Sequence, residues 1–119
     1  MLPRTLIGAS LRPFILSILS AGPSYGYEIT QRVHELTDGR IRYTTSTLYP
    51  VLHSLENDGL LKSYWHKEEG TPRRKYYRLT PLGQGAFETE RRQWMDVNKA
   101  LTELWQSSSP VKPAASEAL

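Results

Sequence analysis

The densest run of potential chemistry is Arg73, Arg74, Lys75 and Arg78, four cations within six positions, interleaved with Tyr76 and Tyr77. Guanidinium and ammonium groups meet anionic oxygens, and flat rings between them add contact area, so the run suits a polyanion. Lys62 and Lys67 lie just upstream, while Glu68 and Glu69 offset part of their field. The alternative is charge pairing across the strands of a solvated sheet. A second concentration is the hydroxyl run Thr44, Thr45, Ser46 and Thr47, followed by Tyr49, Pro50 and His53. Hydroxyls that open a helix sit beside its free N–H groups and the positive end of its dipole. The plainer reading is a helix with a polar solvent face.

A third pattern is apolar. Phe87, Trp94, Val97, Leu101 and Leu104 follow one another at seven, three, four and three residues, a seam of the kind that buries itself against another helix. Glu90 interrupts it. Exposed on a single molecule, such a seam would be a large apolar patch, which a two-fold dimer covers. It can also fold back onto the chain's own first helix, and both can hold at once. Trp94 is hard to pack against a symmetry mate without leaving space. Ordinary interface packing and a slot for a flat apolar ligand both remain open for it.

Other chemistries are absent. Without cysteine there is no disulfide, no thiolate nucleophile and no cysteine-based metal site. His34, His53 and His66 lie on three separate elements without metal-ligand spacing. Gly83-Gln84-Gly85 lacks the third glycine and the preceding strand of a dinucleotide fingerprint. No nucleophile–base pair or carboxylate pair stands out, so neither an enzyme nor a cofactor or metal is expected. Fifteen Lys and Arg against twelve Asp and Glu give a net charge of +3, too small to decide a partner by itself.

These residues need elements to position them. Leu11, Phe14, Ile15, Ile18 and Leu19 recur at helical spacing and predict a first helix, stopped by Ala21-Gly22-Pro23. The stretch 11–21 is broken by Arg12 and Pro13 and is too short for a membrane span, which takes about 20 apolar residues. It reads as a core helix rather than a leader, and the chain as cytoplasmic. Ser24 is expected to cap a second helix whose inner face is Tyr25, Ile29, Val33 and Leu36, ending at Asp38-Gly39. Leu48, Val51, Leu52 and Leu55 supply the core side of a third helix from about Thr44 to Asp58. Pro50 must lie near its first turn or bend it. Alternation then takes over, with Leu61, Ser63 and Trp65 on one side of a strand and Lys62, Tyr64 and His66 on the other. A turn at residues 69–72 leads to a second strand, 73–80, with Tyr77 and Leu79 inward. Thr80-Pro81 opens a last helix to about Gln106. Ser, Pro and Ala dominate residues 107–119, which carry no periodic pattern and read as a disordered tail.

Helix, helix, helix, hairpin, long helix is the layout of a winged helix-turn-helix, a mainly α chain with a β-hairpin (α+β). The expected division is residues 1–80 for the winged domain and 81–106 for a C-terminal dimerisation helix. In this layout the N-terminal part of the third helix enters the major groove of duplex DNA, and a basic ribbon beside it reaches flanking phosphate. A winged-helix module that binds only protein, and a ligand-sequestering dimer, are the competing readings.

Ser24-Tyr25-Gly26-Tyr27-Glu28-Ile29, Thr47-Leu48-Tyr49-Pro50-Val51-Leu52, Asp58-Gly59-Leu60-Leu61 and the wing run Arg73 to Thr80 followed by Gly83 together resemble the PadR-like regulators. The likeness spans about residues 11–104. With one helix after the wing, the chain resembles the short subgroup of that family. The resemblance implies a dimeric repressor that binds a palindromic operator, with the last helix making the dimer. It implies DNA contact at phosphate through Tyr25 and Tyr27 and on the recognition helix through Tyr49 and the hydroxyls before it, Thr45 and Ser46; Pro50 and His53 on the same helix face, and Lys67, Arg73, Arg74 and Lys75 of the basic ribbon, are the further contacts expected from the residues themselves. It also implies a pore at the dimer centre for flat aromatic compounds, with Trp94 at the matching position and Val97 beside it. Phe87, Trp94, Val97, Leu101 and Leu104 are the expected dimer residues.

Overall fold

The computed structural model of the chain describes residues 2–107. The expected tail lies outside the described residues, apart from Ser107, which caps the last helix. The order is α1 (Arg4–Ser20), β1 (Ser24–Tyr25), α2 (Gly26–Leu36), α3 (Thr45–Asn57), β2 (Leu61–His66), β3 (Arg74–Leu79) and α4 (Pro81–Gln106). The result is the expected α+β winged-helix arrangement with a long C-terminal helix. None of the described helices is long and apolar enough to cross a membrane.

Helix α1 starts seven residues before the Leu11 stripe and carries Pro13 inside it. It buries Leu11, Ile15, Leu16, Ile18 and Leu19, a wider arc than one stripe, because α2, α3, α4 and β3 all pack around it. Helix α3 begins at the Thr44 cap, whose side chain accepts from the Thr47 N–H. Pro50 stands in its second turn, deeper than its chemistry favours. Leu48, Leu52 and Leu55 are buried beneath it. The helix ends where Gly59 takes φ +79°, Leu60 N–H bonds to Leu55 O at 2.9 Å and Gly59 N–H bonds to Glu56 O at 3.0 Å. Those two bonds are the αL-terminated C-cap that glycine makes cheaply.

The hairpin is part of a three-stranded antiparallel sheet in the order β1-β3-β2. Sequence alternation gives the β2–β3 pair, with Leu61 opposite Leu79 and His66 opposite Arg74, but not β1. Ser24 is the reason. It does not cap α2; Tyr25 occupies that position with no side-chain bond. Ser24 instead pairs with Tyr77 in the sheet, and its hydroxyl donates to the Glu28 carboxylate. Two residues are too few for alternation to register. Leu36 also departs from expectation: it is 61% exposed, because α2 turns its last residue off the core.

Two close approaches fix the elements. A Cβ on Gly83 would lie 2.0 Å from the backbone oxygen of Leu60, so α4 starts flush against the chain entering β2. Thr80 secures the same junction, accepting from Gly83 N–H at 3.0 Å and donating to Gly59 O at 2.6 Å. A Cβ on Gly26 would meet the Tyr49 hydroxyl at 2.9 Å, so the Tyr49 ring lies in the slot a side chain would fill.

Candidate nucleic-acid interface and the C-terminal helix

Helix α3 presents Thr45, Ser46, Pro50 and His53 to solvent. Tyr49 differs. It is half-buried against the core and the start of α2, with its ring centroid 6.1 Å from that of His53. Its position four residues before His53 and one after buried Leu48 puts it at the border of the two faces, which spacing alone reads as the polar one. Tyr27 in the first turn of α2 is 59% exposed. Tyr27, Gln31, His34, Arg42 and Thr45 line a groove of about 200 Å³ where α2 meets the start of α3. Arg42 donates toward His34 Nε2 at 3.3 Å. Arg42 belongs to no run or repeat in the sequence, although a cation two residues ahead of a hydroxyl run is a usable signal.

The basic run of β3 does not form one patch. Tyr77 is fully buried and sets the inner face of the sheet, so Lys75 and Leu79 share that side with Leu61, Ser63 and Trp65. Lys75 Nζ lies 5.8 Å from the Tyr77 ring, and the Arg73 guanidinium sits 4.7 Å over Trp65 at the turn. Arg74, Tyr76 and Arg78 take the outer face with Lys62, Tyr64 and His66 of β2 and Tyr25 of β1. There Tyr76 is surrounded by rings, 5.3 Å from Tyr25, 5.9 Å from Tyr64 and 5.4 Å from His66. Arg74 stacks 4.5 Å over Tyr25. Desolvation raises the Tyr76 hydroxyl above its ordinary pKa, with Glu68 and Glu28 adding to the effect and Arg74 opposing it. Lys67 is exposed at the end of β2, next to Glu68 and Glu69. Each of the expected cations is therefore at or near the surface, divided between two faces.

The seam of α4 is divided as well. Phe87 is half-buried and packs against the chain's own core. Glu90, the break in the repeat, is bound by Arg12 of α1 at 2.9 Å. From there on the helix is bare: Trp94, Met95, Val97, Leu101, Leu104 and Trp105 are 39–72% exposed. Trp94 borders two apolar grooves. One, about 420 Å³, lies against Pro13, Phe14, Ile18 and Leu36; the other, about 150 Å³, lies against Pro13, Leu16, Phe87 and Met95. Exposed Leu36 thus forms part of the groove wall. Among the described residues no cluster of three His, Cys, Asp or Glu could hold a metal ion.

Comparison with known proteins agrees with this architecture. The profile of the transcriptional regulator PadR-like family matches residues 15–89. The transcriptional regulator Rv3488 of Mycobacterium tuberculosis is 40% identical over 84 residues, covering 71% of this chain and 75% of that protein. A transcriptional regulator from Clostridium thermocellum superposes with a TM-score of 0.75 at 33% identity, over 87% of this chain and 97% of its own. A PadR family transcription regulator from Clostridium difficile gives 0.68 at 33% identity, over 79% and 96%. The family match covers more than half the chain and includes α2, α3, the wing and the first turns of α4. The chain belongs to the PadR-like family of transcriptional regulators.

Proposed function

We propose that this regulator acts as a homodimer that occupies a palindromic operator, represses from it, and is released by a planar aromatic ligand. The observation that carries the proposal is the bare apolar length of α4 beyond Glu90. Six large apolar side chains at helical spacing lose water on pairing with a second copy, at about 25 cal/mol per Å² buried. A two-fold pair presents two recognition helices, which suits an inverted repeat. Thr45, Ser46 and His53 face the bases, with Pro50 in contact beside them. Tyr25 and Tyr27 meet phosphate, and Arg73, Arg74, Lys75 and Lys67 hold the flanking backbone. Tyr49 acts at the border of that face, its ring held by α2. Trp94 and the adjoining Val97 line the ligand site, where an indole face and aliphatic walls suit a flat, hydrophobic molecule.

The test is binding to a labelled duplex from upstream of the chain's own gene against a scrambled duplex, across rising salt, with molecular mass followed by sedimentation. Preference that survives physiological salt, with a mass of two chains, supports the reading. Equal affinities that collapse with salt reduce it to electrostatic attachment. No binding to either duplex turns the choice toward a protein-binding winged helix.

A further inference from the structure

Lys62 and Arg78 stand directly opposite each other on β2 and β3, both exposed on the outer face of the sheet. Like charges facing across a strand pair repel, a cost proteins usually relieve with a neighbouring acid. Among the described residues neither cation has an ion-pair partner; the ion pairs are Arg12–Glu90, Arg91–Glu88 and Lys99–Glu103. With Tyr64 they line a shallow depression of about 350 Å³. The same face continues along β3 to Tyr76 and Arg74, where Arg74 covers Tyr25 at the start of α2. Arg74 and Arg78 are four residues apart, about 13 Å along an extended strand. That span equals about four base-pair rises measured along the duplex axis, at 3.4 Å each.

We propose that the outer face of the wing sheet, centred on Lys62, Arg78 and Tyr64, is a second binding surface for the phosphate backbone of duplex DNA outside the operator half-site. This rests on the DNA-binding reading above. The unrelieved cation pair is satisfied by anionic oxygens, the Tyr64 hydroxyl can donate to a third, and the strip from Arg74 to Arg78 continues the same face from the turn end of the hairpin to its base. An acidic protein segment would satisfy the same charges, but the continuity with Arg74 and Tyr25 favours the polymer already engaged there.

The experiment uses the full chain and two duplexes with the same selected binding site, one trimmed to the site and one extended by ten base pairs on each side. Wild type is expected to bind the extended duplex more tightly, with a salt slope steeper by about 1.8 per subunit for two added phosphate contacts. That slope makes the advantage of the flanks fall about tenfold per subunit between 50 and 200 mM salt. The Lys62→Gln/Arg78→Gln variant should lose this advantage and keep wild-type affinity for the trimmed duplex. Its thermal melt should be unchanged or slightly raised, since a repulsion is removed. Wild type that binds both duplexes equally overturns the proposal while leaving the operator reading intact. A variant that keeps the flank advantage also overturns it, because other residues then hold the flanking backbone. Wild type that binds neither duplex overturns the operator reading itself.

Discussion

Arg12 and Glu90 are joined side on: Nε and Nη2 of the guanidinium each donate to one carboxylate oxygen, both at 2.9 Å. The two residues are far apart in sequence and tie α1 to α4 where the apolar repeat of α4 breaks. The break is therefore an attachment point. Before it α4 packs on the chain's own core through Phe87; after it the large apolar residues are exposed.

Removing the pair by Arg12→Met/Glu90→Gln should cost about 0.5–1.5 kcal/mol, since a forked ion pair is stronger than a single contact but both groups are partly solvated. For a chain of this size that is a melting shift of a few degrees. The attraction holding Glu90 also raises the Arg12 pKa, chiefly through the hydrogen bond, but so far above neutrality that no physiological pH dependence follows from the arginine. Differential scanning calorimetry checks the shift, and an unchanged melt would show the pair to be ornamental.

Gly83 and Gly85 lie in the same helix, and alanine at each should act in opposite directions. At Gly85 nothing lies within 4 Å of the added methyl, so Gly85→Ala should stabilise by about 0.5–1 kcal/mol through helix propensity. At Gly83 the methyl meets the Leu60 carbonyl, a backbone atom that no rotamer can move, so Gly83→Ala should cost about 3 kcal/mol or more. Urea melts of the two variants read both signs.

Tyr77 predicts the alkaline limb of stability. Burial pushes its hydroxyl up to about 12, and among the described residues that hydroxyl has no hydrogen-bond partner. Below pH 10 both states hold the proton and stability is whole. Between 10 and 12 the unfolded chain releases it while the folded chain keeps it, so stability falls with rising pH, by on the order of 2 kcal/mol in all. Tyr77→Phe should flatten that part of the pH profile and be near neutral at pH 7. Equal alkaline losses in both proteins would place the titration elsewhere.

Gly26→Ala should destabilise by about 1–2 kcal/mol, because its methyl presses on the Tyr49 hydroxyl, the movable end of a side chain. Adding Tyr49→Phe removes the nearest atom and should recover part of the loss. A double variant no better than the single would mean that Tyr49 does not resist the methyl.

Trp94→Ala should abolish binding of planar aromatic dyes, read by fluorescence titration, while circular dichroism shows the winged fold retained, since Trp94 is 48% exposed on the single chain and lies outside its core. Leu101→Glu should halve the sedimenting mass. Dye affinity unchanged by the first variant removes the pore, and a dimer that persists in the second removes the α4 seam.

Long periodic stretches made most of this architecture legible. The third helix, the hairpin and the last helix each have enough repeats for burial to impose a pattern on residue type. What escaped was set by contacts between distant residues. Ser24 carries a capping side chain, yet pairing with Tyr77 decided its role. Leu36 fits the inner stripe of α2, yet the helix ends beyond the core there. The run Arg73–Arg74–Lys75 looks like one charge cluster because sequence order hides the alternation of a strand, which sends neighbours to opposite faces. Tyr49 falls on the polar side by spacing, and only the missing side chain of Gly26 shows why it turns inward.

The seating of Gly83 on Leu60 has a mechanical consequence. Most helix junctions have slack, because side chains between the backbones can exchange rotamers and absorb small displacements. Here backbone rests on backbone, with Thr80 clasping both sides. A tilt imposed on the far end of α4 meets α1 first, through Glu90 and Phe87. At the root it meets a contact with no rotamer to give, where a single hydrogen atom stands in the place of a side-chain carbon.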